Sequence, residues 1–265
     1  MTTRPSSVAD AFERRADRAA ALAPDSPAAR APLDFAAGLY REQSVVAAAL
    51  ERAHAARPLS GRLEADLGAF AGWLGGVLRF AAERGPEGLR ERARARAGED
   101  PEAWLAPFWR DAGSARDDYL SRAILRPYAE VLAAASVRPD RAARAGGCPF
   151  CRGAPWMAHR RILGDADGGQ RFLDCALCGG EWPVTRILCP ACAEADPHKL
   201  PAFQSERYPA VRIEACATCR GYVKSIDLSV DARAIPEVDD LLSLSMDLWA
   251  ADEGYTRIEP GLAGI

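Results

Sequence analysis

The sequence predicts a multidomain α+β protein. An N-terminal all-α helical domain covers residues 1–145, two tandem four-cysteine metal domains follow at 146–186 and 187–265, and a C-terminal helix closes the second. Three observations predict this. All eight cysteines fall in four Cys-x-x-Cys pairs: Cys148/Cys151, Cys175/Cys178, Cys189/Cys192 and Cys216/Cys219. An offset of 41 residues carries the first four cysteines onto the second four, and also Pro149 onto Pro190, Arg171 onto Arg212, Ala176 onto Ala217 and Gly180 onto Gly221. The region upstream has no cysteine and repeats apolar residues at helical intervals between Pro and Gly breaks.

In chain order, residues 8–22 predict a short Ala-rich helix, ended before Pro24 and Pro27. Residues 33–57 predict a longer one, with Phe35, Leu39, Val46 and Leu50 near one face and Pro58 ending it. Residues 61–84 predict a third, in which Gly75-Gly76 marks a close helix approach or a kink. Residues 89–97 follow, and their alternating Arg90, Arg92, Arg94 and Arg96 read as a solvated face rather than a partner contact. Pro101 suits the first position of the next helix, whose Trp104, Leu105, Phe108 and Trp109 read as core. Residues 114–137 predict one further helix, kinked or split at Pro127.

Within the cysteine region, strands are expected at 156–163 and 171–174 around a hairpin turn at 164–169. That turn is superficially like a calcium loop but lacks the later ligands and the closing Glu. Further strands are expected at 181–188, 200–204, 211–215 and 222–226. A last helix covers 236–252, with Pro236 at its start, Glu237, Asp239 and Asp240 at the positive end of its dipole, and Gly254 after it.

The chemistry lies in the cysteines. Two cysteines three apart on a tight turn can direct both sulfurs to one ion, and two such knuckles complete a tetrahedral four-thiolate site. Each unit therefore resembles a zinc-ribbon or rubredoxin-like site, and the ligand set is Cys148, Cys151, Cys175, Cys178, Cys189, Cys192, Cys216 and Cys219. The repeat predicts that the first knuckle pairs with the second and the third with the fourth, giving two metal ions per chain, iron or zinc. Units of about 40 residues rarely bury a sufficient core, so a folding role for each ion is the default. A Gly directly after the second cysteine of a knuckle lets backbone N–H groups turn toward sulfur. Only Cys178 has one, in Gly179; Arg152, Ala193 and Arg220 occupy the other three positions.

Charge narrows the function classes. The chain carries a net charge of −3. Residues 148–227 hold 10 basic and 9 acidic side chains, a near-neutral balance that counts against a phosphate-tracking nucleic-acid ribbon. Only Lys199 and Lys224 are lysines, which reads as a compositional bias. No apolar run precedes Glu13-Arg14-Arg15 and no stretch of about 18 apolar residues occurs, so neither a signal peptide nor a membrane span is expected. Paired cysteines without an export signal favour metal thiolates in the reducing cytoplasm over disulfides. His54, His159 and His198 are isolated in sequence, and no Ser-His-Asp pattern, phosphate loop or dinucleotide fingerprint appears, so no catalytic residue is expected.

Several stretches together resemble the formate dehydrogenase accessory protein family, FdhE. They are Cys148-Pro-Phe-Cys151, Arg171 through Trp182, Arg186-Ile-Leu-Cys189-Pro-Ala-Cys192, and Cys216-Ala-Thr-Cys219-Arg-Gly221-Tyr222-Val-Lys224. The tail adds Ile235 through Leu241, Met246-Asp247-Leu248 and Gly254-Tyr255; upstream, Pro107-Phe-Trp109 and Asp117 through Leu120 are similar. The resemblance implies a helical domain followed by two rubredoxin-like domains. It implies a cytoplasmic, non-enzymatic protein that supports maturation of molybdenum- or tungsten-dependent formate dehydrogenase and contacts its catalytic subunit. The partner contact is expected near Trp156, Trp182 and Tyr222, against local packing of each over its own ribbon. The alternatives are a nucleic-acid-binding double zinc ribbon, a thiol–disulfide oxidoreductase, and a metal-assisted hydrolase, which a four-sulfur site disfavours because it leaves no open position for water.

Overall fold

The structure, a computed structural model, describes residues 7–111, 113–162 and 169–265. The chain forms two compact units, Met1–Ala142 and Ala143–Ile265.

The first unit is helical: α1 (Val8–Leu22), α2 (Arg30–Ala56), α3 (Leu63–Asp66), α4 (Leu74–Arg84), α5 (Glu87–Arg96), α6 (Pro101–Arg110) and α7 (Tyr119–Ala134). The Ser7 hydroxyl caps α1 by accepting from the Asp10 N–H, which satisfies an otherwise orphaned donor. α2 packs against α1, α4 and α7. Its Leu33, Ala36, Leu39, Tyr40, Gln43, Val46, Ala47 and Leu50 are buried, a stripe that recurs every three or four residues. α7 runs unbroken through Pro127 and is buried on nearly all sides. Its Arg126 and Glu130 form a buried ion pair at 2.7 Å, and Arg15 reaches Glu130 at 2.9 Å. The aromatic cluster of α6 is core, and Arg96 lies over the Trp104 ring at 4.8 Å.

The helix expected over 61–84 is broken into α3, two 3-10 turns (Leu67–Ala69 and Ala71–Trp73) and α4. The buried Asp66 holds the chain in this turn: it accepts from the Ser60 and Gly61 N–H groups and, at 2.6 Å, from the Tyr128 hydroxyl. Gly75 and Gly76 lie in the first turn of α4; Gly75 meets nothing, but a Cβ on Gly76 would sit 2.5 Å from the Glu42 carboxylate of α2, a close approach as expected. A second close approach of the same two helices is at Gly38 of α2, where a Cβ would sit 2.3 Å from the Phe80 ring.

The second unit is built on strands β1 (Pro155–Arg161), β2 (Gln170–Cys175), β3 (Glu181–Val184), β4 (Ala202–Gln204), β5 (Val211–Ala215), β6 (Gly221–Asp227) and β7 (Thr256–Arg257). Each cysteine unit contributes an antiparallel set of three, β1–β2–β3 and β4–β5–β6. β1 and β6 then pair in parallel, Ala158 with Ser225 and Arg160 with Asp227. The result is one sheet in the order β3-β2-β1-β6-β5-β4, with β7 added to β6. Ala158, Leu173 and Val223 form an apolar cluster, covered by Trp182, Val184 and Ile258. Pro183 is tolerated because β3 is an edge strand. The turn expected at 164–169, apart from Gly169, and the last residue of the strand expected at 156–163 lie outside the described residues.

The tail has the expected helix in interrupted form: α8 (Pro236–Asp239), a 3-10 turn (Asp240–Ser243) and α9 (Leu244–Asp252). Lys224 supplies the reason. Its ammonium donates to the Asp240 and Ser243 carbonyls at 3.0 and 3.2 Å, within the turn that separates the two helices. No described helix is long and apolar enough to cross a membrane.

Candidate metal centres

The four knuckles share one backbone plan. The first cysteine N–H donates to the carbonyl five residues on: Cys148 to Gly153, Cys175 to Gly180, Cys189 to Glu194 and Cys216 to Gly221, at 2.8–2.9 Å. The residue after the second cysteine is left-handed in all four, with φ of 65° at Arg152, 63° at Gly179, 61° at Ala193 and 59° at Arg220. The conformation that glycine adopts readily is thus imposed on three side-chain-bearing residues as well. It turns N–H groups toward sulfur: Gly153 to Cys151 and Gly221 to Cys219, both at 3.4 Å.

The sulfurs converge in two groups, first knuckle with second and third with fourth. The Sγ atoms of Cys148, Cys151, Cys175 and Cys178 all lie within 4.8 Å of one another, as do those of Cys189, Cys192, Cys216 and Cys219. Close pairs are Cys151–Cys175 at 3.3 Å, Cys148–Cys178 at 3.7 Å, Cys189–Cys219 at 3.6 Å and Cys192–Cys216 at 3.7 Å. None is a disulfide. A tetrahedron with metal–sulfur bonds of ~2.3 Å has edges of about 3.8 Å, so each group could hold one ion.

The two groups differ in exposure. All four cysteines of the first are buried, whereas Cys192 and Cys219 of the second face solvent. Burial lifts the Cys175 thiol well above its ordinary value and brings Cys189 up to about 12. Both therefore lose a proton on coordinating a metal at neutral pH. Glu194 braces the second group from outside: its carboxylate accepts from the Thr218 hydroxyl at 2.6 Å and from the Ala195 and Asp196 N–H groups. The Thr218 hydrogen bond, together with these, holds that carboxyl down at about 2.

Two features escaped the sequence reading. Lys224, read as part of a compositional bias, is fully buried. Its ammonium lies 2.7 Å from Asp240 and 2.6 Å from Asp247, while Arg257 meets the same two carboxylates at 3.0 and 3.2 Å. Tyr222 adds a hydrogen bond to Asp247 at 2.8 Å, and Arg257 donates to the Trp156 carbonyl. Burial alone would raise the Asp240 carboxyl, but Arg257 and Lys224 more than offset it and hold it low. This four-charge cluster ties β1, β6, β7 and the tail helices together. Its signal in the sequence was charge at positions that periodicity assigns to buried faces. His159 is also buried, and its Nδ1 is 3.0 Å from Asp174 with Glu181 beyond Nε2 at 3.4 Å.

The second feature corrects the expected partner contact. Trp156 and Tyr222 are buried, and Trp182 is half-buried over the sheet's apolar cluster, so local packing accounts for all three. Large apolar side chains are exposed instead at Leu248 and Trp249 of α9.

The family models matched by this chain are the FdhE central domain over residues 147–186 and the FdhE C-terminal domain over residues 187–262. An FdhE homolog from Aquifex aeolicus is 33% identical over 117 residues, 44% of this chain and 41% of the relative. One from Pseudomonas aeruginosa is 38% identical over 119 residues, 43% of this chain and 38% of the relative. These matches span less than half of the curated relatives' own length. The crystal structure of the FdhE protein from Pseudomonas aeruginosa has the same fold, with a TM-score of 0.70 and 25% identity over 98% of this chain and 96% of that one. With FdhE models on both cysteine units and the FdhE fold along almost its whole length, the chain is similar to the FdhE family.

Proposed function

We propose that this protein is an accessory factor for a molybdenum- or tungsten-dependent formate dehydrogenase, binding the immature catalytic subunit in the cytoplasm. In this reading the second unit comprises two metal domains, 146–186 and 187–265, each holding one iron or zinc ion through its four cysteines. Four thiolates fill a tetrahedral ion's coordination, so zinc would supply only a staple and iron would add one-electron chemistry. The chain acts by binding rather than catalysis. Its residues hold two knuckle pairs rigidly on one sheet, and the buried Lys224–Asp240–Asp247–Arg257 cluster fastens the tail to it. The observation that carries the reading is the pairing of two matched four-thiol groups with the FdhE fold over almost the whole chain.

The test is co-purification with a tagged catalytic subunit, followed by formate oxidation in a strain lacking this protein. The expected result is a recovered complex and lost activity, restored by the intact gene. Normal activity without it, and no complex, would leave a metal-binding protein of other purpose. Elemental analysis and an absorption spectrum of anaerobically purified protein separate iron from zinc.

A further inference from the structure

A cleft of about 220 Å³ opens on the sheet beside the second cysteine group. Four of its lining residues are arginines: Arg160, Arg171, Arg186 and Arg212. Strand register brings three of them together. Arg160 on β1 is directly opposite Arg171 on β2. Arg212 on β5 faces Ser225 on β6, which in turn faces Ala158, two residues from Arg160 on the same side of the sheet. Like charges in direct register destabilise a sheet, so the arrangement needs anions about it, and with metal bound the thiolates of the second centre supply part of that charge.

The chain's own acids balance only part of it. Glu214 takes Arg171 at 2.8 Å and also pairs with Arg212. Arg160 is left over. Its Nε is buried without a hydrogen-bond partner, and its side chain makes no ion pair among the described residues. Asp227 lies opposite it on β6, with one carboxylate oxygen on the Ser229 N–H and hydroxyl at 2.9 and 2.6 Å, and forms no ion pair with Arg160. A buried guanidinium donor without a partner is unfavourable, and an oxyanion is the group its planar fork fits best.

We propose that this cleft binds a small oxyanion of the phosphate class, with Arg160 as the main ligand and Arg186 closing the rim. The volume sets the class: it is below the ~300 Å³ at which pockets for drug-sized ligands begin, so it admits a phosphoryl head and not a whole nucleotide. Cys189 and Cys216 also line the cleft, which places the anion against the second centre.

The experiment titrates metal-loaded protein with inorganic phosphate at constant ionic strength and follows backbone amide resonances. Saturable shifts are expected at Cys189 and Gly221, with none at Cys148. Arg160→Gln should weaken binding about tenfold or more, the loss of a charge-assisted hydrogen bond. Arg186→Gln, at an exposed position where the side chain also donates to the Gly169 carbonyl at 2.8 Å, should weaken it, and Arg233→Gln should leave it unchanged. Phosphate also stabilises proteins by exclusion from their surfaces, an effect that all variants would share. Tighter binding of phosphoserine than of inorganic phosphate assigns the site to a phosphoryl group carried on a larger molecule; the reverse order assigns it to the free ion; either supports the site. No saturable shift in wild type, or one unchanged in both Arg160→Gln and Arg186→Gln, overturns it. That outcome would leave the arginines to Glu214, to backbone carbonyls and to balancing the thiolates of the second centre.

Discussion

Replacing Ala193 with glycine isolates the strain stored in a knuckle. Ala193 follows the second cysteine of the third knuckle at φ 61°. It is exposed, and its N–H donates to the Cys189 carbonyl at 2.9 Å, a bond that glycine keeps. An L-residue in the left-handed region costs about 1–2 kcal/mol. Glycine returns roughly 0.4–1 kcal/mol of that through the greater entropy of its unfolded chain. The net expectation is a gain of about 0.5–1 kcal/mol, because no packing or hydrogen bond is lost. The reverse change, Gly179→Ala at φ 63°, should cost the first centre a similar amount. Competition with a chromophoric chelator measures it. A gain of that size raises the metal affinity of the second site by about 2- to 5-fold, and Gly179→Ala lowers that of the first. Arg220→Gly should gain less, since Arg220 lies over the Tyr255 ring at 3.8 Å and donates to the Glu253 and Gly254 carbonyls. An unchanged affinity in Ala193→Gly, with Gly179→Ala also neutral, would refute the claim that left-handed geometry is strained here.

Two further perturbations test the second unit. Cys175→Ser should reduce metal content from two ions per chain to one and remove most of the ~10–16 kcal/mol that a structural ion contributes; elemental analysis and a melting curve check it, and two retained ions would sink the assignment of that ligand. Lys224→Met should destabilise by about 3–5 kcal/mol, because it leaves two buried carboxylates, Asp240 and Asp247, with Arg257 to balance both. Adding Asp240→Asn should restore much of the loss in urea unfolding, and a single variant within 1 kcal/mol of wild type would show the cluster to be dispensable.

The parts legible in the sequence are those fixed by local geometry. Cys-x-x-Cys spacing decides a knuckle within four residues, and the 41-residue repeat carried the knuckle pairing without knowledge of the sheet. Helices with an uninterrupted apolar stripe, such as α1 and α2, were legible for the same reason. Long-range pairing was not. Nothing local to β1 or β6 announces that Ala158 will face Ser225 in parallel and fuse the two cysteine units into one sheet.

Once that fusion exists, other departures follow from it. The two strands that fuse, β1 and β6, are buried on both faces, so Trp156 and Tyr222, which looked like interface anchors, become core. Lys224 falls on the same buried strand and must find anions, and the tail helices supply Asp240 and Asp247. Its ammonium also takes the Asp240 and Ser243 carbonyls, and the turn between them is 3-10 rather than α. The same register sets Arg160 opposite Arg171, a pairing that neither strand's sequence would suggest. The glycine-poor knuckles show the opposite relation: there the backbone plan overrides residue preference, and the left-handed turn forms on arginine and alanine as it does on glycine. A sequence reader who weighs glycine alone therefore misjudges which knuckles are built correctly, while one who weighs the cysteine spacing does not.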